Sequence, residues 1–231
     1  MTRSYTVALD GSTYQGSVAV IRDVRVVAER SLGGGGAGNG KREAGRGDAL
    51  MPAIAECLKE TGIKGEEIAR IVCGAGPGSF TSLRVAGSVA KGLAVGYGVD
   101  LYAVSSLALT VTGARPALPA GEYLSVLDAM RGEYFASRVT LVSDGTVIQP
   151  EPTTLISAAE LAELAEREQV VRIVGPGQSL DFRPHAGGVA PLLEALVGLG
   201  AVDLASWEPD YGRLAEAQVR WEAAHGRPLR G

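Results

Sequence analysis

Short apolar stretches broken by glycine, hydroxyl and charged pairs open the chain. Residues 5–9, 16–21 and 24–28 are rich in Val, Ala, Ile and Leu, with Gly11-Ser12-Thr13 after the first and Arg22-Asp23 after the second. Breaks of that length join antiparallel neighbours, so the pattern predicts three strands in a row. Glycine then dominates residues 33–47, with Lys41, Arg42 and Arg46 among it. Such a composition cannot bury a core and reads as a loop. After it the period changes. Leu50, Ile54 and Leu58 recur at helical spacing, Asp48 is placed to cap the first turn, and Pro52 falls near where a first turn tolerates it. Apolar runs at 68–74 and 101–104 predict further strands. Between them a helix runs from Phe80 to about Val95, and another starts at Ser105 or Ser106 and reaches about Thr112.

Three antiparallel strands, then helix, strand, helix, strand and helix, is the element order of a ribonuclease-H-like lobe. Such lobes build the actin/hexokinase/Hsp70 superfamily, and the order speaks to fold alone. The second half echoes it faintly. Val126-Leu127-Asp128, the turn Arg131-Gly132-Glu133 and a strand over 134–142 parallel the opening strand with its aspartate and turn. Likewise Arg172-Ile173-Val174-Gly175-Pro176-Gly177 parallels Arg70-Ile71-Val72-Cys73 and the Gly-Pro-Gly behind it. A helix over 158–168 carries Leu161, Leu164 and Ala165 on one face. A short apolar helix over 191–199 and an amphipathic tail helix with Leu214, Ala217, Val219 and Trp221 follow. The expected fold is α/β: two ribonuclease-H-like lobes facing a cleft, one over 1–115 and a shorter, abbreviated one over 116–231, hinged at 116–121.

Composition narrows the function classes. The chain has 231 residues, 46% apolar and 21% charged, as an ordinary globular protein with ample core does. Its net charge of −4 supplies no global positive field for nucleic acid or anionic membrane, so a role on nucleic acid would lean on another subunit. No apolar run is long enough for a bilayer, and the first strand begins too early for a signal core; the expected location is the cytoplasm. Cys57 and Cys73 stand in apolar surroundings and read as buried, reduced thiols.

The richest chemistry lies in Gly74-Ala75-Gly76-Pro77-Gly78-Ser79-Phe80-Thr81-Ser82-Leu83-Arg84 and the helix it opens. Backbone N–H groups of such a turn at a helix start can cradle a phosphate, although the lysine and Ser/Thr ending of a P-loop are missing. Equally, Ser79 can be a simple N-cap. Along the helix, Leu83, Gly87, Ala90 and Ala94 share a face small enough to admit another backbone, with Arg84 and Lys91 on its rim. Gly87 and Gly92 each cost about 1 kcal/mol in a helix interior, so close packing must compensate, from the chain's own sheet or from another subunit. Asp10, with Ser12 and Thr13 beside it, and Asp128 across the cleft could hold Mg²⁺ through oxygen ligands; alternatively, each caps its own turn. The two histidines, His185 and His225, show no metal-ligand spacing and read as surface residues. No metal site and no catalytic residue is assigned.

Three of these segments resemble signatures of the bacterial TsaB (YeaZ) family. They are Gly76-Pro77-Gly78-Ser79-Phe80-Thr81-Ser82-Leu83-Arg84 running on to Ala90-Lys91-Gly92-Leu93-Ala94, Asp128-Ala129-Met130-Arg131-Gly132-Glu133-Tyr134, and Pro209-Asp210-Tyr211-Gly212-Arg213 with Ala215-Glu216. The opening Leu9-Asp10-Gly11-Ser12-Thr13 agrees as well. Arg46, Ser82, Met130 and Gly212 depart from residues common in the family. The resemblance implies a non-catalytic, activating subunit of the complex that adds threonylcarbamoyl to the adenosine 3′ of the anticodon in tRNAs reading ANN codons. It implies binding to a TsaD-like catalytic subunit, with a TsaE-like ATPase joining and tRNA reached only through the complex; alone, such a chain can form a homodimer. The implied interface is Ser79, Phe80, Thr81, Leu83, Arg84, Ala86, Gly87, Ala90, Lys91 and Ala94. No tightly bound cofactor is expected, and ATP or ADP with Mg²⁺ has its place at a subunit junction. Competing readings are a small ATP-binding phosphotransferase or ATPase using Asp10 and Asp128, and, last, a glycoprotease-like hydrolase.

Overall fold

The computed structural model describes residues 3–33, 49–142, 147–148, 150–166, 172–213 and 224–226. The expected Asp48 cap, Arg46, the glycine-rich loop beyond Gly33, the last residues of the 158–168 helix, and the tail helix from Leu214 lie outside them.

Strand β1 (Tyr5–Asp10) pairs antiparallel with β2 (Ser17–Arg22), which pairs antiparallel with β3 (Arg25–Ser31). On its other edge β1 runs parallel to β4 (Ile68–Gly74), and β4 parallel to β5 (Asp100–Val104), giving the order β3-β2-β1-β4-β5. Parallel neighbours need crossovers, and the helices α1 (Leu50–Thr61) and α2 (Phe80–Tyr97) serve there. A central strand covered on both faces has no polar side, which is why Thr6 to Asp10 of β1 are all buried and its sequence hardly alternates. Val7, Leu9, Val18, Val20, Ile71 and Cys73 face α1 and α2, whose Ile54, Cys57, Ala86 and Ala90 complete that core. Ala8, Ala19, Ile21 and Val72 point the other way, to α3 (Ser106–Thr112).

The second sheet is shorter. Strands β6 (Gly121–Asp128) and β7 (Glu133–Leu141) form a hairpin; β8 (Val147–Ile148) and β9 (Thr154–Ser157) pair with β7, and β10 (Arg172–Val174) runs parallel to β6. Helix α4 (Ala158–Glu166) lays Leu161 on Leu124, Val126, Ala136 and Ile173.

The chain then returns to the first sheet. The 3₁₀ turns Ala186–Leu192 and helix α5 (Leu193–Leu199) pack Val189, Ala190, Leu193 and Leu196 into the core that holds Ala8, Ile21 and Leu109. The helix read over 191–199 is thus a longer 3₁₀-to-α element. Residues beyond 185 belong by packing with the first sheet, although in sequence they follow the second. Residues 202–213 continue across α2: Val202 N–H donates to Leu101 O at 2.9 Å, and Val202, Leu204 and Trp207 pack against the α1/α2 core.

Candidate functional site

All four sequence segments singled out above meet in one place. β4 ends at Gly74, and the turn behind it is held from three sides. Ala75 N–H donates to Val104 O at 2.7 Å, Gly76 N–H to Ser106 Oγ at 3.1 Å, and Ser79 N–H to Ser12 O at 2.7 Å. Ser106 N–H returns a bond to Gly76 O at 2.9 Å. These three donors of the turn are thus committed to the protein's own structure. Ser79 occupies the cap position of α2, but its hydroxyl accepts no backbone N–H; it pairs instead with Ser82 Oγ at 3.1 Å. Ser79 is thus the N-cap of α2 by position, as read from sequence, but without a side-chain cap bond.

Asp10 is wholly buried at the end of β1. Its Oδ1 accepts from Ser12 N at 3.0 Å and Ser12 Oγ at 2.7 Å, and Oδ2 accepts from Ser106 Oγ at 2.7 Å. A Cβ at Gly74 would collide with that carboxylate, which is why the position takes glycine. Burial pushes the Asp10 carboxyl above its usual range, against the lowering effect of the Ser106 and Ser12 bonds. Ser12 is buried, and Thr13 bonds only its own turn, through Gln15 O at 2.9 Å. Asp128 is exposed at the end of β6 and accepts from Met130 N at 2.7 Å, an Asx turn in which Met130 and Arg131 both take positive φ. The structure therefore gives Asp10 and Asp128 turn-forming roles. No cluster of three or more potential metal ligands occurs among the described residues.

The interface residues named from sequence divide in two. Leu83, Ala86, Gly87, Ala90 and Ala94 are buried within the chain itself. Ala86 and Ala90 lie on the first sheet's core, and Gly87 faces Pro209 and Trp207, with Pro209 Cγ 3.0 Å from where a Cβ would stand. Their small size makes room for this chain's own sheet and carboxy-terminal segment, which corrects the reading of that face as space left for another protein's helix. Phe80, Thr81 and Arg84, also named from sequence, are exposed on the opposite face, whose other residues sequence reasoning did not name. Ser88, Gly92, Val95 and Gly96 continue the same strip, Val95 at 70% exposure. Among the described residues, nothing outside the helix's own nearby backbone comes within 4 Å of a Cβ built at Gly92 or Gly96. The 3.6-residue period from Phe80 through Arg84, Ser88 and Gly92 would have found them.

The tail segment borders this strip. Asp210 N–H donates to Ala75 O at 2.7 Å, and the ring of Tyr211 lies on that of Phe80, centroids 4.4 Å apart and planes tilted by 40°. The Arg84 guanidinium covers Phe80 at 5.5 Å from its centroid, and Lys91 Nζ stands 5.9 Å from that of Trp207. Two residues on, Arg213 forms an ion pair with Glu133 at the start of β7. His185, read as a surface residue, is 18% exposed in its side chain; its Nδ1 accepts from Gly187 N at 3.1 Å and lies 3.6 Å from Glu29 Oε2. Burial lowers its pKa, with Arg115 acting the same way and Glu29 opposing.

The family model described as "TsaD: tRNA N6-adenosine threonylcarbamoyltransferase" matches residues 46–178, more than half of the chain. The tRNA threonylcarbamoyladenosine biosynthesis protein TsaB of Bacillus subtilis (strain 168) is 28% identical, the alignment covering 93% of this chain and 96% of that one. TsaB of Escherichia coli (strain K12) is 33% identical over 86 residues, 37% of each chain. The solved structure of YeaZ from Pseudomonas aeruginosa shares the fold with a TM-score of 0.71 at 24% identity, over 90% of this chain and 99% of that one. With the signature segments converging on one junction and the match running nearly end to end, the chain belongs to the TsaD family, in its TsaB (YeaZ) branch.

Proposed function

We propose that the protein serves tRNA threonylcarbamoyladenosine biosynthesis as a docking and activating subunit rather than as the enzyme. It binds a TsaD-like catalytic subunit through the exposed strip of α2. The observation that carries this reading is the strip itself: Phe80, Arg84, Ser88, Gly92, Val95 and Gly96 lie on one helix face, with two glycines that nothing packs against among the described residues. A glycine costs about 1 kcal/mol in a helix interior, and a partner helix approaching closely would supply the compensation that this chain does not. Membership of the TsaB branch supports a TsaD-like subunit as that partner.

The enclosure of Asp10 supports the non-catalytic part. A carboxylate with both oxygens bonded to Ser12 and Ser106 and no exposed surface is poorly placed to hold a phosphate-bound metal. On this reading ATP or ADP with Mg²⁺ binds at the junction with the catalytic subunit, a TsaE-like ATPase joins the pair, and tRNA is gripped by the complex. The chain's net charge of −4 fits that division of labour.

The test is reconstitution. Threonylcarbamoylated tRNA is assayed with TsaD, TsaE and this chain, and with each omitted. The expected result is that product formation requires the chain and that Asp10→Asn, where it folds, still supports it. Full activity without the chain, or turnover of ATP by the chain alone that Asp10→Asn abolishes, would reverse the assignment.

A further inference from the structure

Residues 207–213 touch both halves of the molecule within a few residues. Pro209 is buried against Gly87, and Trp207 lies beside it under Lys91. Asp210 N–H closes on Ala75 O at 2.7 Å, and a Cβ at Gly76 would collide with the Asp210 carbonyl. The chain then reverses at Gly212, where φ is +66° and the N–H donates to Asp210 Oδ1 at 2.8 Å. A side chain there would run into the Phe135 ring. The reversal delivers Tyr211 onto Phe80 on one side and Arg213 to Glu133 on the other, with the guanidinium 6.0 Å from the Phe135 centroid. The segment thus hangs between an anchor on the first sheet's turn and one on β7.

We infer that residues 207–213 are a clasp between the two sheets, and that Glu133 and Arg213 are positioning residues. Through Gly212 and Tyr211 they hold Phe80 and Arg84 in the pose in which the α2 strip receives its partner. The effect on partner binding rests on the docking reading above; the clasp itself does not. The ion pair is asymmetric. Arg213 is the more enclosed, 26% exposed against 41% for Glu133, and its Nε is buried without a hydrogen-bond partner. Losing Glu133 strands a half-buried cation, whereas losing Arg213 leaves a carboxylate that water can reach.

Trp207 makes the clasp visible. Trp221 is the other tryptophan, so Trp221→Phe in the full chain leaves Trp207 as the sole reporter. Emission maximum, acrylamide quenching and affinity for a TsaD-like subunit are measured in that background for Glu133→Gln, Arg213→Gln and Arg213→Lys. Arg183→Gln, which breaks only an exposed pair with Asp181, is the control. The expected result is a red-shifted, more quenchable Trp207 and about tenfold weaker binding in both glutamine variants, the size of change that losing one anchor brings. The shift should be larger for Glu133→Gln, and Arg213→Lys should recover most of it. Unchanged Trp207 emission in both glutamine variants overturns the clasp. Shifted emission with unchanged affinity overturns the positioning role, as does a loss confined to thermal stability. If the parent chain itself fails to bind TsaD, the docking reading falls while Trp207 still decides the clasp.

Discussion

Asp10 ends the first strand, where its sequence surroundings suggested metal chemistry, yet it is surrounded by Ser12, Ser106 and the Gly74 backbone, with no surface left for a ligand. Its removal orphans three buried donors, so Asp10→Ala should cost about 2–4 kcal/mol in urea unfolding, the range for several unsatisfied groups. The pH sign is unusual for a carboxylate. Because burial raises the folded pKa above the ordinary 3.8, the ionised form opposes folding, and Asp10's contribution improves as pH falls from above the folded pKa toward 3.8. His185 works in the opposite sense. Its folded pKa lies below the ordinary 6.5, so the folded state resists protonation that the unfolded chain accepts. Its contribution is therefore full above 6.5 and declines as pH falls below it. Replacing it by asparagine, which can still accept from Gly187 N–H, should flatten the loss of stability below pH 6.5 in paired urea titrations. A slope identical to wild type would refute the assignment to His185.

At the scale of the element, α2 is two-faced in a way its sequence only half reveals. Ala86 and Ala90 are fully buried, so enlarging either to leucine should destabilise the folded chain by about 1–3 kcal/mol through overpacking, whatever it does to a partner. Gly92→Ala and Gly96→Ala should do the reverse, each raising stability by about 0.5–1 kcal/mol in thermal unfolding, because a Cβ meets nothing there. The strands and helices of the first sheet were legible from the chain, whereas β8 and β9 of the second carried no pattern that marked them. β4 runs over the residues its apolar pattern marks, and β1, with its buried neighbours, announces a central strand by its lack of alternation. The side of α2 that faces inward was not legible. Alanine and glycine carry too little hydrophobic contrast to orient a helix, and what fills the space beside Gly87 is Pro209, far away in sequence. Ser106, which joins Asp10 to the Gly76 turn, escaped for the same reason: its partners are distant along the chain and its position at a helix start suggests a cap.

Across the whole molecule, the two sheets are held together by segments that sequence order assigns to the second lobe. His185 and Ala186–Leu192 sit on the first sheet, with Ala186 N–H donating to Ser17 Oγ at 2.8 Å, and residues 207–213 cross from the Gly76 turn to β7. The motifs quoted for the family lie far apart in the chain and gather at this junction, around one exposed strip of α2. That convergence places partner docking on the strip, and Gly92→Leu puts it to the test. The substitution adds bulk where the chain has open space and replaces a poor helix former by a good one, so it should raise the melting temperature. The same bulk would obstruct a closely docked partner. Isothermal titration of the parent chain and Gly92→Leu into a TsaD-like subunit should therefore show tight binding for the first and a loss of at least about a hundredfold for the second, alongside the higher melting temperature. Equal affinity for the two, or no binding by the parent, would contradict it.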